Sequence, residues 1–250
     1  MNRSFAMTCL KQSATGTVAA ISQRLMISGA MVFLAVGPAI AQNSELQEKV
    51  AAVKAAVAEN KQRLQQYQWT ETTQLTLKGD PKPASTNMCR YGPDGQVQKT
   101  LISPPPEQPS GGRMKQKIIA KKKAEMKDYM GEVKGLLSMY VPPDPQRMEQ
   151  AYQAGKFALN PLPGALNFVF TDYAQPGDRM TVTFDTTAKK ITSLDINTYM
   201  DETKDTVTLH VQMATLPNGP NYAQQTILSA AAKKLVVTTT NSNYQKLGGQ

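Results

Sequence analysis

One histidine, one tryptophan and two cysteines are spread over 250 residues, and each scarcity removes a class of function. A zinc site needs three or four clustered Cys, His or carboxylate ligands, and no such spacing occurs. Cys9 lies in a segment predicted to be removed, which leaves Cys89 alone. A single thiol forms no internal disulfide, so stability rests on core packing. One histidine allows at most one triad of the usual kind, and His210 stands in no catalytic motif. Glycine-rich phosphate loops are missing too: the Gly-Gly pairs at 111–112 and 248–249 fall in a proline-rich loop and at the tail. Two carboxylate pairs, Asp201 with Glu202 and Asp144 with Glu149, sit in predicted turns or at helix starts, where capping and solvation explain them. No cofactor and no metal are expected, although these counts leave lysine- or carboxylate-based chemistry open.

What is present begins with a basic leader. Arg3, Lys11 and Arg24 meet no acidic residue before Glu45, and "LMISGAMVFLAVGPAI", residues 25 to 40, closes on Ala39-Ile40-Ala41. This is the arrangement of a secretory signal peptide cut after Ala41. Sixteen positions broken by Gly29, Gly37 and Pro38 fall short of the roughly 20 apolar residues of a spanning anchor. The stretch before the apolar core is long, so Met7 or Met26 is an alternative start. No cysteine follows the cut, and lipid attachment at the new N-terminus is not expected. The expected localisation is export, to the periplasm. Removing the leader leaves 25 basic against 19 acidic residues, so the net charge falls from +9 to +6. Residues 42–250 then form one domain, long enough for a substantial core. Cys89 is expected to be partly buried and free, with pairing between chains as the alternative.

Along that domain, Ser44 and Gln47 read as a capping box. Leu46, Val50, Val53, Val57, Leu64 and Tyr67 then recur as one stripe of an amphipathic helix. "WTETTQLTLKGD" alternates, with Trp69, Thr73, Leu75 and Leu77 on one face. "GPDG", 92 to 95, predicts a hairpin between segments 86–91 and 96–102. "SPPPEQPSGG", 103 to 112, reads as an exposed loop. A long helix is expected over Met114–Tyr140, with an apolar stripe of Ile118, Met126, Tyr129, Met130, Val133, Leu136, Leu137 and Tyr140. A shorter helix is expected from Asp144-Pro145 to about Gly155. From Leu166 onward the chain reads as strands: 166–173, 179–186, 191–199, 206–214, 221–230 and 234–240. Tight turns join them, which predicts an antiparallel meander.

The alternation also places the histidine. In "DTVTLHVQM", Val207, Leu209, Val211 and Met213 share one face, while His210 falls with Thr206, Thr208 and Gln212 on the other. A solvent-facing polar residue describes it better than a catalytic base. One sheet face is therefore wet, and the apolar one needs cover from the helices or, in part, from a ligand. The candidate cavity residues are Trp69, Leu75 and Leu77, then Met126, Met130 and Leu137 from the long helix. Phe168, Phe170, Val182, Phe184, Leu209 and Val211 complete the set. Ordinary core packing explains any one of them as well.

The segment "RMKQKIIAKKKAEMKDYMGEVK", 113 to 134, concentrates basic residues around Lys117, Lys121, Lys122 and Lys123. A solvated helix face explains it, and so does a surface for an anionic membrane or an acidic partner. Nucleic acid is not an expected partner, since export and the missing aromatic-interleaved basic motif both oppose it. The oligomeric state is not legible.

In order and pattern, "YQWTETTQLTLKG", the meander "MTVTFDTTAKKITSLDINTY" and the ending "GPNYAQQTILSAAAKKLVVTTTNSNYQKL" resemble the periplasmic lipoprotein-sorting carriers of the LolA/LolB type. The resemblance spans roughly residues 44 to 247. It implies an α+β fold in which an unclosed, curved antiparallel sheet (a half-barrel) carries an N-terminal helix and two further helices over its concave face. It implies a non-enzymatic carrier or sensor for a lipid, an acyl chain or another long apolar ligand. The rival expectation is a structural or interaction module of the bacterial envelope with a self-filled core. A hydrolase of unrecognised chemistry is a third.

Overall fold

Where valine, threonine and aromatic residues alternate with polar ones, the chain forms strands, and there are eleven of them. The computed structural model describes residues 58–104, 112–217 and 219–248, all within one unit that spans Ser44–Gln250. The expected leader, the start of the first helix and the middle of the proline-rich loop lie outside the described residues.

Residues 58–64 are helical and lead into β1 (Tyr67–Leu77). A two-residue stub, β2 (Asp80–Pro81), precedes the hairpin of β3 (Ser85–Tyr91) and β4 (Val97–Leu101). The "GPDG" turn closes that hairpin, with Gly95 at φ +71° as its turn geometry requires. Two helices follow, α1 (Arg113–Leu137) and α2 (Pro145–Gln153). The Asp144 side chain caps α2 by accepting from Gln146 N at 2.9 Å. The rest is a meander of β5 (Phe157–Leu162), β6 (Ala165–Thr171), β7 (Arg179–Asp185) and β8 (Lys190–Tyr199), then β9 (Thr206–Thr215), β10 (Asn221–Ala230) and β11 (Leu235–Lys246).

The sheet is wholly antiparallel and open. Its order is β4-β3-β1-β11-β10-β9-β8-β7-β6-β5, with β2 beside β1. The expected α+β half-barrel is what forms. Three features go beyond the expectation. β5 is an additional strand, and Pro161 is tolerated in it because β5 is an edge. β11 continues to Lys246, because the pairing with β1 runs on past Thr240, where the ladder with β10 ends. Along β11 an extra residue is absorbed where the pairing with β1 shifts register, next to Asn243 at φ +53°.

α1 also differs from its expected stripe. The core claims Tyr129 and Val133, with Met126, Met130, Leu136 and Leu137 packed around them. Ile118, expected in the same stripe, is 52% exposed, and Met114 is 80% exposed. The first half of α1 is therefore bare to solvent while the second half packs.

Candidate functional site

Pairing of the strands carries the inward residues into transverse rows. The first runs Leu77, Leu235, Ala230, Val207 and Thr198. The second runs Leu75, Val237, Leu228, Leu209, Ile196, Met180, Phe170 and Phe157. In the third, Thr73, Thr239 and Thr226 give way to Val211, Leu194, Val182 and Phe168. Beyond bulges in β8 and β10 lies a fourth, in which Ala223 pairs with Met213, and Phe184 pairs with both Ile191 and Leu166.

Along β7, β8 and β9 cover thins from the first row to the fourth, while Leu77, Leu75, Val237, Phe157 and Phe168 at the flanks of the first three rows are also half-buried. Val207, Ala230 and Leu235 are closed to solvent, as are Val133 and Tyr140 from α1 and the segment just after it. Val182, Leu194 and Val211 of the third row are still buried. Ala223, Met213, Ile191, Phe184 and Leu166 are all only half-buried. The fourth row is thus an apolar strip that the protein covers in part.

The closed end is held by a buried carboxylate. Asp178 lies in the β6–β7 turn and accepts from Tyr173 N at 2.6 Å, Gln175 N at 2.8 Å and Ala174 N at 2.9 Å. Tyr140 OH also donates to it at 2.6 Å. That phenol has one proton, so at its 2.8 Å contact with Thr198 Oγ1 the threonine is the donor. Gln175 Nε2 donates in turn to Thr198 Oγ1 and to Tyr199 O. Burial, and then the bond to Asp178, drive the Tyr140 phenol well above its usual pKa. The network pins the C-terminal end of α1 to the sheet. Asp144 N donates to Tyr173 OH at 2.6 Å, which ties the start of α2 to the same turn.

At the opposite end of the trough, aromatic rings fill the space. Trp69 stacks on Tyr244 at 5.5 Å and touches Tyr91 at 5.4 Å, while Tyr222 meets Tyr244 at 4.4 Å. Trp69 Nε1 donates to Asn241 Oδ1 at 3.1 Å. Beside them Lys99 Nζ bridges both oxygens of Glu71 at 2.6 and 2.7 Å. Cys89 is fully buried, and burial, then the Glu71 charge, raise its thiol pKa. The helical residues 58–64 are fastened there by Asn60, which exchanges two bonds with the Asn221 backbone at 2.6 and 2.7 Å.

The sequence-predicted cavity residues therefore occupy three settings. Phe170, Val182, Leu209 and Val211 are core residues; Leu75, Leu77, Met126, Met130, Leu137 and Phe168 pack half-buried around that core. Phe184 lies in the strip of the fourth row, and Trp69 belongs to the aromatic cluster. Leu166, Ile191, Met213 and Ala223 were not among the predicted residues. Leu166 and Met213 follow the alternation of β6 and β9, whereas Ile191 and Ala223 are brought into line by the bulges, and bulges leave no mark in an alternation pattern. Lys117, Lys121, Lys122 and Lys123 are exposed.

His210 projects from the wet face, as its strand pattern requires. Its Nδ1 lies 2.5 Å from Asp195 Oδ1, with both side chains about half exposed. Water competes for such a pair. Ser193 Oγ lies 2.9 Å from Thr183 Oγ1 and 3.4 Å from Asp195 Oδ2; with its one proton turned to the carboxylate, Thr183 is the donor in the first contact, and the imidazole is not a partner. Two open hollows of about 340 and 390 Å³ run along this face, and Arg179 borders both. Among the described residues no group of three His, Cys, Asp or Glu could hold a metal, and no helix is long and apolar enough to cross a membrane.

No family model matches the chain, and no curated protein matches it. Its arrangement is similar to solved structures. One is a DUF1329 family protein from Desulfovibrio piger, 11% identical, with a TM-score of 0.41, covering 81% of this chain and 95% of that one. Another is a LolA superfamily protein from Nitrosomonas europaea, 8% identical, with a TM-score of 0.38, covering 79% and 94%. The second bears the name of the group that the sequence resembles. At these scores the likeness bears no functional weight, which falls on the register and the gradient of burial.

Proposed function

We propose that this chain is an exported, periplasmic carrier or sensor that shelters a lipid acyl chain or a similar long apolar ligand in the half-covered end of its trough. The observation that supports this reading is the burial gradient. Along β7, β8 and β9 the inward apolar residues are buried as far as the third row, whereas Phe184, Ile191 and Met213 of the fourth, with Leu166 beside them, keep a share of their surface open. Each methylene taken from water contributes about 0.8 kcal/mol, so ten of them supply about 8 kcal/mol before association costs. That is enough for useful affinity with no catalytic group. The half-buried methionines around the core suit a ligand of variable shape.

A second reading, an envelope module without ligand, draws support from the buried centre of the first three rows, Val207, Leu209, Met180 and Leu194 among them. Native mass spectrometry of the exported chain, followed by lipid extraction, separates the two. The carrier reading expects co-purifying lipid, and expects Ala223→Trp to displace it while the far-ultraviolet spectrum is kept. Protein that is empty from the cell and takes up no fluorescent fatty acid supports the module instead.

A further inference from the structure

We propose that the first half of α1 is a cationic arm by which the protein docks on an anionic bilayer, the place where the apolar ligand proposed above is collected or released. From Arg113 to Glu125 the helix runs for about 20 Å. All of it but Ile119 is exposed. The charges there are largely uncompensated. Among the described residues the one ion pair in this stretch is Lys121 to Glu125 at 4.0 Å, with both side chains mostly in water. Lys117, Lys122 and Lys123 have no acidic partner among the described residues. The packed half of the helix turns Tyr129 and Val133 to the core, and on the same side the bare half presents Lys115 and Lys122. Those lysines cannot follow the helix down onto an apolar sheet without losing their hydration. This arm is therefore built to stand off the protein.

The distribution of charge favours a bilayer over an acidic protein. At 100° per residue, Lys117 and Lys121 share a face one turn apart, while Lys122 and Lys123 lie about 100° and 200° round the helix from Lys121, so a rigid partner would engage only part of the set. Lipid headgroups rise around a helix that settles among them and can meet charges on several sides. Met114 and Ile118, one turn apart, are the apolar residues that would enter the headgroup boundary. Tyr140, locked to Asp178, keeps the far end of α1 on the sheet, so docking brings the trough to the membrane without detaching its lid.

The test uses the full mature chain and vesicles of phosphatidylcholine, with and without about one-third phosphatidylglycerol, in a co-sedimentation assay across a salt series. Binding is expected only to the anionic vesicles and weakens as salt rises. Each lysine near such a surface contributes about fivefold in affinity, so changing Lys117, Lys121, Lys122 and Lys123 together to Gln costs on the order of several hundredfold. Changing Met114 and Ile118 to Ser removes the part of the binding that survives high salt. Equal binding to neutral vesicles, or an unaltered affinity in the four-Gln variant, overturns the proposal. So does a parent chain that ignores both vesicles, including one that binds an acidic protein instead. Lipid occupancy of the four-Gln variant, read by native mass spectrometry, keeps the two readings apart. Lost docking with retained ligand leaves the carrier intact, and an always-empty trough with salt-sensitive docking removes the carrier alone.

Discussion

Tyr140→Phe removes one oxygen from the anchor of α1 and tests whether that anchor holds the helix. The ring keeps its place, since Tyr140 is fully buried and phenylalanine fills the same volume. What is lost is the bond to the Asp178 carboxylate and the acceptor for Thr198. Asp178 still accepts three backbone N–H groups, and Thr198 still receives Gln175, so neither is orphaned. A hydrogen bond to a charged group is worth about 1.5–3 kcal/mol net, and the second bond is a weaker neutral one. The expected loss is about 2–3 kcal/mol, which for a domain of this size lowers Tm by roughly 4–12 °C. Urea titration followed by Trp69 fluorescence measures it, with the slope unchanged. Asp178→Asn should cost more, because one amide oxygen cannot accept what two carboxylate oxygens do. A Tyr140→Phe loss under about 0.5 kcal/mol, or an Asp178→Asn variant sturdier than Tyr140→Phe, would refute the account of the anchor.

Three more outcomes are expected. Cys89 should react with a thiol reagent only after urea unfolds the chain, because the fold both buries it and raises its pKa; rapid native labelling contradicts this. Tyr140 and Tyr244 have folded pKa values raised above their unfolded values, chiefly by burial. The stability they contribute is complete below about pH 10 and is lost as pH rises through the folded values, so phenol ionisation at 295 nm should coincide with loss of the circular dichroism signal. Val182→Asp should abolish folding, since it places a charge among Leu194, Phe168 and the core, while His210→Ala on the wet face should leave stability within about 0.5 kcal/mol and lipid occupancy unchanged.

Where side chains alternate strictly, the sequence foretold the strand and its face. Met180, Val182 and Phe184 in β7 and Val207, Leu209 and Val211 in β9 are the clearest instances. The helix α2 was equally visible, because Asp144-Pro145 is a local signal. β5 escaped because an edge strand with Pro161 needs only one partner and shows little alternation. The polar end of β11 escaped because the distant β1 backbone and the ring contacts of Tyr244 keep it extended, and neither shows in a local pattern. Asp178 reads as an ordinary turn acid in "QPGD". It becomes an anchor only when the closed turn aims three N–H groups at it and Tyr140 arrives from 38 residues upstream. The Asp195 partner of His210 likewise requires the β8–β9 register, which no local pattern supplies. The line between closed and half-open rows follows from where α1 ends up, a matter of tertiary packing.

β11 is seated between β1 and β10, so the first long strand receives its neighbour from far along the chain; Trp69 and Asn241 are 172 positions apart. A closure loop of that length is slow to form. Until residues 235–246 arrive, β1 and β10 each present a raw ladder of donors and acceptors, and the first hairpin has no meander to join. A nascent or translocating chain would therefore stay in two unsealed parts until nearly its whole length is free, and a truncation before Leu235 would leave both parts sticky at the seam.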